Sequence, residues 1–315
     1  MSHSYNNFVV KAYQNRSAQE ILAAAPDALK GVSSADAQLL EQAFGIHAVR
    51  DFAENKFFQN ALVILAGVDT PGFDPGPPPS WSAFFARAPV DFYQQFPNEF
   101  RLEFGPVYYR GRLDGTARII VVGQDPSVNE ILAQRIFVGR SGQRVQGFLR
   151  KLGISRSYIM LNTFLYSVHG QYMGNLKSLS TQDPLLSYRN EYLSRSLDMN
   201  PIEAVIAVGR GAQDAVEHWP HSAEITVVNI THPSAHDEQA LLNNWNEALE
   251  ILRPIINADD GAEIDHLSYG TKFSDADQVA IPRFDLPFGL PDWHGVGGGH
   301  ATRDGPDKII WNSPL

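Results

Sequence analysis

The chain has 315 residues, 43% of them hydrophobic, with a formal net charge of −10 and no cysteine. That length builds one sizeable core with additions, or two small ones, and the negative charge excludes a protein that coats nucleic acid electrostatically, though not one that grips a few phosphates locally. Without cysteine there is no disulfide, zinc–thiolate site or cysteine-held iron–sulfur cluster. No apolar run reaches the roughly 20 residues of a membrane span, and Met1-Ser2-His3-Ser4-Tyr5 has no secretory pattern. A cytoplasmic setting is expected.

Taken in order, Ser17-Ala18-Gln19-Glu20 and Ser33-Ser34-Ala35-Asp36 are capping boxes that open helices. A longer helical run is expected from about His47 to Ala66, so residues 1–68 read as an N-terminal helical region. Residues 69–80 hold Pro71, Pro75, Pro77, Pro78 and Pro79, which forbid helix and central strand alike and predict a linker. Trp81 to Phe104 is rich in aromatics and is expected to pack on a core domain that runs over 81–255. Strands are expected at 117–123, 157–163, 203–209 and 224–231. A helix opens near Ser141, with Val145, Phe148, Leu149 and Leu152 at helical spacing, and another spans about Leu185 to Leu197. Gly209-Arg210-Gly211-Ala212 turns the third strand into a helix. Asp214 stands where a dinucleotide fingerprint needs its third glycine, so this pair reads as close helix–strand packing. Leu241, Trp245, Leu249 and Leu252 line the last core helix, which Pro254 ends. Strands alternating with helices predict an α/β fold of three layers, α/β/α, around a central, mainly parallel sheet. Residues 256–315 contain Phe284, Phe288, Trp293 and Trp311, unlike a disordered tail, so an extension packed on the core is expected. The run Gly297-Gly298-Gly299 lacks the Lys-Ser/Thr of a phosphate loop.

The chemistry concentrates at three strand ends. Ile119-Ile120-Val121-Val122 is a β-branched apolar run that stops at Gly123, and Asp125 follows beside Pro126. Strand, glycine, acid, proline presents a reactive group at the carboxyl edge of a sheet. Asn162 closes a second strand-like run, and His232-Pro233-Ser234 closes a third.

This set resembles the uracil-DNA glycosylase superfamily. Its best-known branch carries Gly-Gln-Asp-Pro-Tyr-His, then an Asn, then His-Pro-Ser-Pro-Leu. The counterparts are Gly123-Gln124-Asp125-Pro126, Leu161-Asn162-Thr163 and His232-Pro233-Ser234. Phe137-Val138-Gly139-Arg140-Ser141-Gly142-Gln143 is similar to a segment of the iron–sulfur branch, whose cluster this cysteine-free chain cannot carry. The resemblance covers roughly Gly115 to Arg253. It implies a four-stranded sheet and a monomeric, cofactor-free and metal-free hydrolase of the N-glycosidic bond of uracil, acting on DNA that contains uracil or other damaged bases.

Breaking a base-to-sugar bond leaves positive charge on the sugar and negative charge on the base. The site therefore needs an anion below the sugar, donors around the base, and a base taken out of the stack. The resemblance makes Asp125 the acid that orients water, and His232 a neutral donor to the base. Asn162 becomes the reader that accepts from N3–H and donates to O4, a pattern that rejects cytosine. Phe137 becomes the stacking face. Backbone N–H groups of Gln124 and Asp125 would hold O2, with Ser127 beside the base, and Pro126, Arg140, Ser141, Ser234 and His236 would meet DNA. Each has an ordinary alternative: a turn acid, a satisfied histidine, a strand-closing amide, a core phenylalanine, a solvated serine. Arg135, Arg140, Arg144, Arg150, Lys151 and Arg156 form a basic stretch whose ordinary reading is a solvated helix face.

Two departures from the family pattern matter. Ser127 stands where the best-known branch has the tyrosine that crowds C5 of the base, which predicts a broader range including C5-substituted uracils and deaminated purines. His236 stands where that branch has its wedge leucine. Histidine is a poorer plug, so a wedge from elsewhere, such as the tail, is expected. The rival readings are a damaged-base binding protein without turnover and an N-glycosidase of free nucleosides or nucleotides. A nucleophile elbow and metal-ligand spacing are both missing.

Overall fold

The computed structural model describes residues 8–55, 57–58 and 72–287. Two units separate, Met1–Gly72 and Phe73–Leu315. Part of the expected helical run to Ala66, the start of the proline-rich segment, and Phe288, Trp293, the Gly297 run and Trp311 lie outside the described residues.

In the first unit Ser17 caps the helix Ala18–Leu22 and Ser33 caps Ser34–Phe44. Both boxes are reciprocal: the N–H groups of Ser17 and Ser33 donate to the Glu20 and Asp36 carboxylates, each at 2.9 Å. A left-handed Gly45 ends the second helix. The third, Val49–Glu54, stops at Asn55, and residues 57–58 are again helical, so the helical run expected from about His47 is interrupted at Asn55. Asn55 Oδ1 accepts from Phe57 N–H at 2.9 Å, a local bond that competes with the helical ladder.

In the second unit the strands are β1 Arg110–Gly111, β2 Ile119–Gly123, β3 Tyr158–Asn162, β4 Ala204–Val208 and β5 Thr226–Ile230, in the order β1-β3-β2-β4-β5. β2 to β5 pair in parallel, as the alternation of strands and helices predicts. β1 is antiparallel to β3, so the sheet has five strands rather than the four the resemblance implied. The extra edge depends on Gly111, at φ 102°, where a Cβ would stand 2.2 Å from the Tyr158 carbonyl oxygen.

Every residue of β2, β3 and β4 is buried, because helices cover both faces. Alternation along the strand divides the core. Ile119 and Val121 pack with Phe148 and Leu149 of the helix Arg140–Lys151 and with Trp245 and Leu249 of Glu238–Leu252. Ile120 and Val122 pack on the other side with Trp81, Tyr192 of Leu185–Asp198 and Val216 of Arg210–Glu217. The result is a three-layer α/β/α arrangement. Among the described residues no helix is long and apolar enough to cross a membrane.

Residues 256–287 run along the first of these layers. The Tyr269 ring meets Trp245 edge-on at 5.6 Å, and its backbone exchanges hydrogen bonds with the Asn246 amide at 2.7 and 3.1 Å. Val279 N–H donates to Gln143 O at 3.0 Å. Gly147 is needed beneath this crossing, since a Cβ would fall 2.1 Å from the Asp277 carbonyl oxygen. Asp285, fully buried, accepts from Arg112 and Tyr158, both at 2.5 Å, and pairs with Arg110 at 3.5 Å.

The basic stretch is not uniformly a solvated face. Arg135 and Arg144 are both buried to 8% exposure. Arg135 pairs with Asp74 at 2.8 Å, Arg144 donates to the Pro233 carbonyl at 2.5 Å, and Lys151 pairs with Asp265 at 2.8 Å. These cations hold loops together inside the protein. Arg140, Arg150 and Arg156 are exposed.

Candidate active site

Parallel strands end at one edge, where α/β proteins place their sites. The loops leaving β2, β3, β4 and β5 enclose a cavity of about 560 Å³ there. Gln124, Asp125, Ser127, Phe137, Ser141, Asn162, His232 and Ser234 all line it. Pro126 is buried, Arg140 and His236 are exposed, and these three do not line the cavity.

Gly123 and Asn162 are register partners at the ends of β2 and β3. A Cβ on Gly123 would lie 2.3 Å from Asn162 Oδ1 and 2.8 Å from the Phe137 ring. The glycine of the first motif thus makes room for the amide and for the aromatic wall. Asn162 is 4% exposed and its Nδ2 has no hydrogen-bond partner. Buried polar groups are nearly always paired, so this unpaired donor, on a residue that lines the cavity, is available to a ligand.

Asp125 is half-buried. Its Oδ1 accepts from Gln124 Nε2 at 2.9 Å and its Oδ2 from Val168 N–H at 3.1 Å. Loss of solvation outweighs both bonds and, with the nearby Glu130 carboxylate, raises its pKa to about 6. A carboxylate so placed is ionised near neutrality yet basic enough to take a proton.

His232 is exposed along the cavity mouth, but the protein crowding its imidazole disfavours the cation and lowers its pKa. The ring is therefore neutral at pH 7. Ser234 N–H donates to Nδ1 at 3.2 Å, which leaves the ring proton on Nε2. Arg144, bonded to Pro233 O, fixes this loop from behind, and Ser234 Oγ meets Ser141 Oγ at 2.9 Å.

Phe137 is buried and sits at φ 53°, a conformation that costs a non-glycine residue about 1–3 kcal/mol and persists only where the surroundings enforce it. They do so here. The Phe137 carbonyl lies where a Cβ on Gly142 would be, at 1.7 Å. Val138 packs with Ile281 and Leu286, and Arg135 is held by Asp74, whose N–H bonds Leu286 O at 2.9 Å.

Other lining residues had no role in the sequence reading. Glu130 is buried; one oxygen accepts from Ser127 N–H at 3.2 Å and from Ser127 Oγ, the other from the N–H groups of Val138 and Gly139 at 3.0 and 3.2 Å. It ties the Asp125 loop to the Phe137 loop. The spacing Ser127-x-x-Glu130 is a capping box, a signal present in the sequence. Gln171 and Tyr172 line the cavity with no such signal, as does Arg210. The Gly209 and Gly211 pair has a sharper purpose than helix packing. A Cβ at Gly209 would press on His232 Cβ at 3.2 Å, and one at Gly211 on Gln124 Cγ at 2.7 Å. Among the described residues no group of three or more His, Asp or Glu is placed to hold a metal ion.

Fold and cavity together define an α/β protein with an acid, an amide and a neutral imidazole collected at the carboxyl edge of its sheet. Residues 111–253 match the sequence profile of the Uracil DNA glycosylase superfamily. The superfamily points to a DNA glycosylase type of function, with DNA as partner. No curated protein matches the chain.

Proposed function

We propose that the protein is a monofunctional DNA glycosylase that hydrolyses the N-glycosidic bond of uracil in DNA and so initiates base excision repair. The observation that carries this reading is that Asp125, Asn162 and His232, from three strand ends far apart in the chain, line one cavity. A base taken out of the duplex enters that cavity. Asn162 accepts from N3–H of uracil and its free Nδ2 donates to O4; cytosine reverses both polarities and leaves buried groups unpaired, at about 1–3 kcal/mol each. As the bond between C1′ and N1 breaks, its electron pair moves into the base. His232 Nε2–H donates to O2, where that charge collects. The Asp125 carboxylate faces the cationic sugar and takes a proton from the water that adds to C1′, which leaves an abasic site and free uracil. These steps need no cofactor or metal, and a single chain supplies every group, so a monomer suffices.

The short side chain of Ser127, held by Glu130, supports a range wider than uracil that includes C5-substituted uracils and deaminated purines. The test is a labelled uracil-containing oligonucleotide followed by alkali, with strand breakage at the abasic site as readout. Asp125→Asn separates an enzyme from a damaged-base binder: the variant loses cleavage and keeps affinity. Free deoxyuridine as substrate separates a DNA enzyme from a nucleoside hydrolase.

A further inference from the structure

Two of the described residues lining the cavity carry a benzene-type ring, Phe137 and Tyr172. Tyr172 comes from Gly170-Gln171-Tyr172-Met173-Gly174, the loop beyond β3, whose two glycines take positive φ of 86° and 54°. Its hydroxyl lies 2.7 Å from Ser180 Oγ. Ser180 Oγ itself donates to Lys177 O at 2.8 Å, so the phenol is the donor to Ser180. Ser180 is 1% exposed, and its carbonyl accepts from Arg189 Nη1 at 2.7 Å, from a guanidinium that is itself 3% exposed. The Tyr172 ring also lies against Phe164, at 6.3 Å between centroids. Burial, with the Asp214 carboxylate nearby, holds the phenol above its ordinary pKa, so the hydroxyl stays a neutral donor. The ring is thus tied at its far end to a buried anchor and cannot swing aside without breaking that bond. Position 127, in contrast, offers only a serine whose hydroxyl is turned onto Glu130.

We infer that Tyr172 is the specificity-determining residue of this cavity, the fixed wall that limits which nucleobases enter. The inference rests on the proposed glycosylase reading and deepens it. A rigid wall discriminates by steric exclusion, and one methyl group against such a wall is worth about 10–200-fold in selectivity. Ser127 and the loop beyond β3 line the same cavity, and of the two only the loop supplies a ring.

The experiment compares wild type, Tyr172→Ala and Tyr172→Phe on duplexes carrying uracil, thymine or hypoxanthine at one position. Selectivity is read as ratios of kcat/KM, and again as ratios of affinity for the 2′-fluoro analogues, whose glycosidic bond resists cleavage. In Tyr172→Ala the thymine-to-uracil ratio is expected to rise about tenfold or more in both readouts. Tyr172→Phe, which keeps the ring and loses the Ser180 bond, is expected to fall between. Ratios in Tyr172→Ala that match wild type overturn the inference while uracil cleavage by wild type keeps the glycosylase reading intact. Absence of cleavage by wild type overturns that reading, and the 2′-fluoro affinities still decide the role of Tyr172. If Tyr172→Ala fails to fold, Tyr172→Leu supplies the same comparison.

Discussion

Asp125→Asn is expected to make the protein more stable and nearly inactive. The carboxyl pKa rises from 3.8 to about 6 on folding. At about 1.4 kcal/mol per pH unit, ionised Asp125 therefore costs the native state about 3 kcal/mol at pH 8. The sign follows from proton binding. Below pH 3.8 both states are protonated and the cost is zero. Between 3.8 and about 6 the unfolded chain ionises first and stability falls as pH rises. Above about 6 the cost is complete. Asparagine removes the charge, but its amide cannot accept from both Gln124 Nε2 and Val168 N–H through two carboxylate oxygens, a loss of about 1 kcal/mol. The net gain at pH 8 is about 2 kcal/mol, or about 4–8 °C in melting temperature for a unit of this size. At pH 5 the cost removed is only about half as large, and the gain shrinks below about 1 kcal/mol. Thermal melts of both proteins at pH 5 and pH 8 measure this, and cleavage of a uracil oligonucleotide should fall about 10²–10⁴-fold. A variant that melts at or below wild type at pH 8, or whose gain is equal at the two pH values, refutes the reasoning.

The same titration gives wild-type kcat/KM an acid limb near pH 6, about tenfold down at pH 5, as Asp125 takes up a proton; a flat profile over that range excludes Asp125 as the base. His232→Ala removes the Nε2–H donor and is expected to lower kcat by about 10²–10³-fold, measured by single-turnover cleavage, with little change in melting temperature because the residue is exposed. Gly123→Ala puts a methyl group into Asn162 and Phe137; cleavage should be lost with about 1–3 kcal/mol of stability, seen in denaturant titration. Asp285→Ala leaves Arg110 and Arg112 buried without their counter-charge and is expected to cost about 3–5 kcal/mol in the same titration.

The four parallel strands are legible in the sequence because Ile119–Val122 and Ala204–Val208 are continuous apolar runs, the pattern of strands buried on both faces. β1 is not legible. Arg110-Gly111 has no strand character of its own, and its pairing follows from how closely Gly111 lets the chain pass Tyr158. Asn55 broke an expected helix through a side-chain bond that periodicity does not register. At the site, Asp125, Asn162 and His232 stand out because each closes a strand, and strand ends converge in a parallel sheet. Glu130 shows as a cap, but its reach to Val138 and Gly139 is tertiary. Tyr172 lies in a loop with no periodicity, so nothing local aims it at the cavity. The arginines following the first motif look like a DNA-facing or solvated series by spacing alone; partners as distant as Asp74 and Pro233 turn two of them inward.

The segment that matches the superfamily, residues 111–253, leaves out residues that support the site. Ile281 and Leu286 brace the backbone beside Phe137, and Asp285 neutralises two arginines in the sheet layer. An expression boundary drawn at residue 253 would strip away those props and leave charge stranded in the interior. A piece that keeps these contacts includes Leu286, so the family match and the packed unit have different borders.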